Sequence, residues 1–197
     1  MKSLKFTLAA VALALTATPA MAQDIGSGPD SQQFVDAVQK RDGDKATQLI
    51  ADHPTIINAR DSKGDTALII AIKRGDRDWT GFLLHKDADP NAPGAAGDTP
   101  LIAAARVGFD EAAGWLLDIG AKVDEDNKMG ETPLIVAVQQ RDSRLVKLLL
   151  DHGANPDKAD SAAGYSARDY AKRDPRAREI LMMIDNKKPN GASVSAK

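Results

Sequence analysis

The segment GDTPLIAAARVG, which opens at Gly97, returns as GDTALIIAIKRG from Gly64 and as GETPLIVAVQQR from Gly130, with a fainter copy, GYSARDYAKRD, from Gly164. The openings lie 33, 33 and 34 residues apart. A period this regular constrains the fold more than any single motif. Each period is one supersecondary unit that cannot bury its apolar face alone, so several must stack around a shared core. The same regularity excludes a phosphate-cradling loop, which does not recur at a fixed spacing and needs a lysine that is missing here.

The register extends beyond the glycines. Thr66, Thr99 and Thr132 share a column, joined by Ser166 in the last copy. Each hydroxyl suits the N-cap of a helix that follows. Pro100 and Pro133 come next, at the first helical position, where a missing N–H costs nothing. Leu68, Leu101 and Leu134 align, as do Ala71, Ala104, Ala137 and Ala171, small residues where helices approach closely. A second helix has apolar columns Leu49, Phe82, Trp115, Leu148 and Met182, and beside them Ile50, Leu83, Leu116, Leu149 and Met183. After it come the aligned residues Asn58, Asn91, Asp124 and Asp157. No window alternates apolar and polar residues long enough for a sheet.

These columns resemble the ankyrin repeats. The likeness rests on GDTPLIAAARVG with WLLDIGAKVDE, on GETPLIVAVQQR with LLLDHGANPDK, and on GYSARDYA as a terminal repeat. It implies an all-α ankyrin-repeat solenoid of about five helix–turn–helix units with short hairpin tips. The array is expected over residues 31–186, with units near 31–60, 61–93, 94–126, 127–160 and 161–186, the first a degenerate cap. A linker covers 23–30, and a tail over 187–197 has almost nothing to bury and is expected to be disordered. Some residues depart from the family pattern. Ile69, Ile102 and Ile135 stand where the family usually has His; Thr66-Ala67 lacks the proline; Arg141 and Asp87 replace helix-closing glycines.

The first 22 residues read as a cleavable secretory signal. MKSLK is basic, FTLAAVALALTA is an apolar run, Pro19 breaks it, and Ala20-Met21-Ala22 offers a small-residue cleavage site before Gln23. The run is shorter than the roughly 20 apolar residues a membrane-spanning helix needs. Cleavage after Ala22 in the periplasm is therefore expected, in keeping with the small exported ankyrin proteins of bacteria that the chain resembles. Loss of Lys2 and Lys5 lowers 26 basic residues to 24 against 28 acidic ones, net −4. Such a chain is a poor candidate for general nucleic-acid binding, which needs Lys and Arg to neutralise phosphates. With no cysteine there is no disulfide, thiolate metal site or Cys nucleophile.

No catalytic, cofactor or metal constellation stands out. His53 and His152 share a column but lie three units apart, and His85 is alone, whereas a histidine metal site needs converging ligands. The acidic string Asp124–Asn127 lacks the glycine of a calcium loop and carries Lys128 and Met129 instead. Trp79 and Trp115 lie on apolar columns and are expected in the core.

What remains is surface. The resemblance implies a concave face of inner helices and hairpin tips. Its tip positions are Ser62, Lys63 and Asp65; Ala95, Ala96 and Asp98; Lys128, Met129 and Glu131. Its inner-helix positions are Lys73 and Arg74; Arg106 and Val107; Gln139 and Gln140. Lys40, Arg41, Lys73, Arg74, Arg106 and Arg173 form a basic row. It reads either as a ridge for an acidic partner surface or as compensation of helix dipoles, since all stand at helix C-termini. The expected function is a non-catalytic, monomeric, periplasmic module that binds another protein and neither nucleic acid nor membrane. A ligand- or metal-sequestering protein is the alternative, with an enzyme behind both.

Overall fold

The computed structural model describes residues 28–187. The signal segment, most of the linker and nearly all of the C-terminal tail lie outside that range. Ten α-helices in five pairs make up the described residues: α1 (Pro29–Lys40) with α2 (Gly43–Asp52), α3 (Ala67–Lys73) with α4 (Arg77–His85), α5 (Pro100–Val107) with α6 (Asp110–Asp118), α7 (Pro133–Gln140) with α8 (Ser143–Asp151), and α9 (Ala167–Arg173) with α10 (Arg178–Asn186). Short 3-10 helices at Pro54–Asn58 and Pro175–Ala177 complete the set. β pairing among the described residues amounts to two isolated bridges, Arg60 with Thr66 and Ala159 with Ser166. This is an all-α repeat solenoid.

Local chemistry starts each inner helix as the repeat predicts. Thr66, Thr99 and Thr132 Oγ1 accept hydrogen bonds at 3.2 Å from the backbone N–H groups of Ile69, Ile102 and Ile135. Ser166 does the same for Asp169 N–H, and the Asp169 carboxylate in turn accepts from Ser166 N–H, closing a capping box. The inner helices α1, α3, α5, α7 and α9 contact one another in sequence, and α4, α6, α8 and α10 form a second row behind them. Between the rows lies one aliphatic core holding the Leu68, Leu101 and Leu134 column and the alanine column. Ile69, Ile102 and Ile135 are fully buried, so apolar packing occupies the column where the family usually places histidine. Truncating a buried leucine such as Leu101 to alanine costs about 2–5 kcal/mol.

Two expectations about the second helices are corrected. Of the neighbouring columns, only that of Leu83, Leu116 and Leu149 is fully buried; Phe82, Trp115 and Leu148 are half-buried. Trp115 is therefore not a core residue, whereas Trp79 is buried. In the last unit Ile180 and Ile184 take the core positions, while Met182 is 52% exposed. A 3-10 turn at Pro175–Ala177 precedes this last helix, in which Met182 faces outward while Met183 stays partly buried against the core.

Units are also stapled by a polar column. Asn58 accepts from Asp89 N–H at 2.9 Å, Asn91 from Lys122 N–H at 2.8 Å, and Asp124 from Asn155 N–H at 2.9 Å. Each bond joins one return loop to the next. Asp124 thus spends its carboxylate on the scaffold.

Candidate functional site

The face implied by the resemblance is built from hairpin tips and the helices that follow them. Each tip is organised by the residue that opens it. Asp61 Oδ1 accepts from the N–H groups of Lys63 and Asp65, both at 2.9 Å. Asn127 Oδ1 accepts from Met129 N–H at 2.9 Å and Glu131 N–H at 3.0 Å. Asp160 Oδ1 accepts from Ala162, Ala163 and Gly164. Short carboxylates and amides suit this role because they mimic a backbone turn. The same column holds Gly94 in the third unit. There the Asp65 carboxylate reaches across from the preceding tip and accepts from Ala95 N–H at 3.1 Å. A Cβ on Gly94 would collide with that carboxylate.

The tips are then tied to the inner helices by charge. Lys73 Nζ lies 2.6 Å from Asp65 Oδ2. Arg106 places Nε 2.6 Å and Nη2 3.1 Å from the two oxygens of Asp98. The same Nη2 lies 2.6 Å from Glu131 Oε2, in the next unit. Asn127 Nδ2 donates to Asp98 at 2.8 Å and to Glu131 at 2.9 Å, which closes the network. Burial works against the Asp98 charge, but hydrogen bonds from Arg106 and Asn127 prevail and hold its carboxyl below the ordinary range. The hydrogen bond to Asp98 raises the Arg106 guanidinium further still. In the last unit Tyr170 donates to Asp160 at 2.6 Å, and that bond pushes the phenol up to about 12.

The basic row therefore differs from a ridge of free cations. Arg74 turns back to the first unit and donates to the Gln39 carbonyl at 2.9 Å. Arg106 turns forward to Glu131, so the two arginines diverge rather than address one surface. Arg41 pairs with Asp76 at 3.4 Å, and Lys128 Nζ donates to the Ala95 carbonyl at 2.9 Å. Arg173 stacks over the Tyr165 ring at 4.4 Å. Beside these tethered cations the face exposes uncharged groups: Val107, 45% exposed, Met129, 46% exposed, and the amides Gln139 and Gln140, with Ala95 and Ala96 at a tip. Lys63 is exposed at the second tip.

Two parts of the site escape single-residue reading: the tip-opening column of Asp61, Gly94, Asn127 and Asp160, and the Tyr170–Asp160 bond. The first obeys the 33-residue register and is visible once each column is asked for acceptors. The histidines do not converge. His53 lies 3.3 Å from Asp30, and His152 Nδ1 is 2.9 Å from its own helix carbonyl at Leu148. Among the described residues no group of three metal-ligating side chains clusters, and no helix is long and apolar enough to cross a membrane.

The fold and face define a helical repeat scaffold. Comparison with known families agrees: a model described as ankyrin repeats in three copies matches residues 81–160, and a single ankyrin repeat matches residues 63–95. The chain belongs to the ankyrin repeat family, whose members are in general non-catalytic scaffolds for protein–protein interaction. A search of curated proteins returned no match.

Proposed function

We propose that the protein is an exported, non-catalytic scaffold that binds a partner protein on its face of inner helices and hairpin tips. The observation that carries this reading is the Asp98–Arg106–Glu131–Asn127 network. It fixes two successive tips against their helices, so the face needs little ordering when a partner arrives, and pre-organised surfaces bind more tightly for the same contacts. The exposed Val107 and Met129 supply apolar anchors, and Gln139 and Gln140 supply adaptable donors and acceptors. Because Arg41, Lys73 and Arg106 are matched to carboxylates and Arg74 and Lys128 are held by backbone carbonyls, recognition rests on shape and apolar contact more than on a strongly acidic partner.

Export to the periplasm is supported by the basic, apolar and small-residue segments of residues 1–22. N-terminal sequencing of the protein from a periplasmic fraction should begin at Gln23; an intact Met1 there would contradict it. The binding face is tested by capture of partners on immobilised protein beside Val107→Asp and Met129→Asp variants. Both positions are exposed, so the fold is retained while capture is lost. Undiminished capture by both variants would place binding elsewhere.

A further inference from the structure

A second surface lies on the opposite row of helices. Between the C-terminal ends of α4 and α6 runs an open groove of about 460 Å³, with Gly81, Leu84, Trp115 and Ile119 as its apolar lining and Asp87, Asp118 and His85 as its polar lining. Its lining departs from the repeat at Ile119 and Asp87. Ile119 is 51% exposed in a column otherwise filled by His53, Lys86 and His152. Gly81 has no side chain, and the Trp115 ring lies 3.9 Å from where its Cβ would be, which opens the groove floor. Asp87 adopts φ 62° where Gly120 and Gly153 stand in the following units. Asp is one of the few residues with a Cβ that visits this left-handed conformation, so the position carries a carboxylate where the later units carry glycine.

Trp115 itself is held in place. Arg77 lies 5.6 Å from its ring centroid and is fixed by two hydrogen bonds of 2.8 Å to Glu111. Among the described residues neither Asp87 nor Asp118 has an ion-pair partner, although nearby acids such as Asp151 are paired. The groove thus combines an exposed apolar floor with unmatched negative charge on its rim.

We propose that this groove is a second docking site, which takes a protein segment presenting a bulky apolar side chain flanked by Lys or Arg. The apolar side chain fills the space between Trp115 and Ile119, and the flanking cations meet Asp87 and Asp118. Contacts at such a rim weaken with salt and act chiefly on association.

The test titrates the isotopically labelled full-chain protein with the peptide acetyl-Lys-Lys-Leu-Phe-Lys-Lys-amide and follows backbone and indole N–H resonances by NMR. Saturable shifts at Trp115, Ile119 and residues 84–87 are expected, weakening with added salt and absent with a peptide carrying Glu for Lys. Ile119→Asp should weaken binding by about tenfold or more. Asp87→Gly should weaken it about two- to fivefold, as expected for a rim ion pair, while raising the melting temperature, which separates lost binding from lost folding. Four results would overturn the proposal: no saturable shift, equal response to the acidic peptide, shifts confined to Val107, Met129 and Gln139, or groove resonances that move with protein concentration alone. The last would assign the groove to a second copy of the chain.

Discussion

Arg106 Nη2 and Glu131 Oε2 lie 2.6 Å apart across the boundary between the third and fourth units. The same guanidinium is forked onto Asp98 of its own unit. One side chain therefore couples a helix, the hairpin that precedes it and the hairpin of the next repeat. Arginine does this because its planar fork can serve two carboxylates in fixed geometry. Replacing it leaves Asp98 buried without its cation. Arg106→Met should lower unfolding free energy by about 1–3 kcal/mol, measured from urea midpoints. Arg106→Lys should recover only part of this loss, since one ammonium cannot reproduce the fork.

The network carries a pH signature. The Asp98 carboxyl titrates below its ordinary value in the folded protein. Its stabilisation is therefore fully present above the unfolded pKa of about 3.9 and disappears as pH falls through the lower folded value. The stability difference between the protein and Asp98→Asn should be largest near neutrality and close in acid. A difference that stays constant across that window would show that the carboxylate's charge is not what matters.

Asp110 has the opposite sign. Burial and the neighbouring Asp142 push its carboxyl up, with Arg144 opposing, and one of its oxygens is buried without a partner. Asp142 is needed as the N-cap of α8, where it accepts from Arg144 and Leu145 N–H. An acid with a raised folded pKa destabilises once it ionises and does no harm below its unfolded pKa. Asp110→Asn should thus stabilise at neutral pH, by about 0.5 kcal/mol or more, and the gain should fade as pH falls through the folded pKa toward the unfolded one. Thermal melts over a pH series read this directly.

Asp87 and Arg141 occupy left-handed backbone, at φ 62° and 57°. The conformation costs a non-glycine residue about 1–2 kcal/mol, partly offset because glycine loses more freedom on folding. Asp87→Gly should therefore raise stability by about 0.5–1 kcal/mol. Arg141→Gly should gain less, because its 2.7 Å ion pair to Asp174 goes with it. Paired calorimetric melts of the two variants check the order.

Much of the scaffold was legible in the sequence, because repetition turns a weak local signal into a column. The Thr66, Thr99, Thr132 and Ser166 caps and the buried leucine and alanine columns follow from spacing alone. Trp115 was misjudged because the column shows that a position is apolar, not how far the next helix covers it; α4 carries Gly81 opposite the ring and leaves it half bare. Met182 departs from its column because the 3-10 turn at Pro175–Ala177 alters the entry of the last helix, which the sequence register does not show, whereas Met183 still packs against the core. The basic row was legible as charge but not as pairing. Arg106 and Glu131 are 25 positions apart, and side-chain direction decides whether a cation meets solvent or a neighbouring unit's acid. Arg74 and Arg106, both members of that row, point to opposite ends of the array.

The central claim is that the inner-helix and tip face, through Val107, Met129 and Gln140, receives a partner protein. It is tested most directly by placing a photo-crosslinking amino acid singly at those three positions, and at Lys147 and Glu179 on the opposite row, and irradiating living cells. All five are exposed, so the chemistry is equal and only the face differs. The account predicts one discrete crosslinked protein shared by positions 107, 129 and 140 and missing at 147 and 179. No crosslink at the three inner positions, or the same product from both faces, would contradict it.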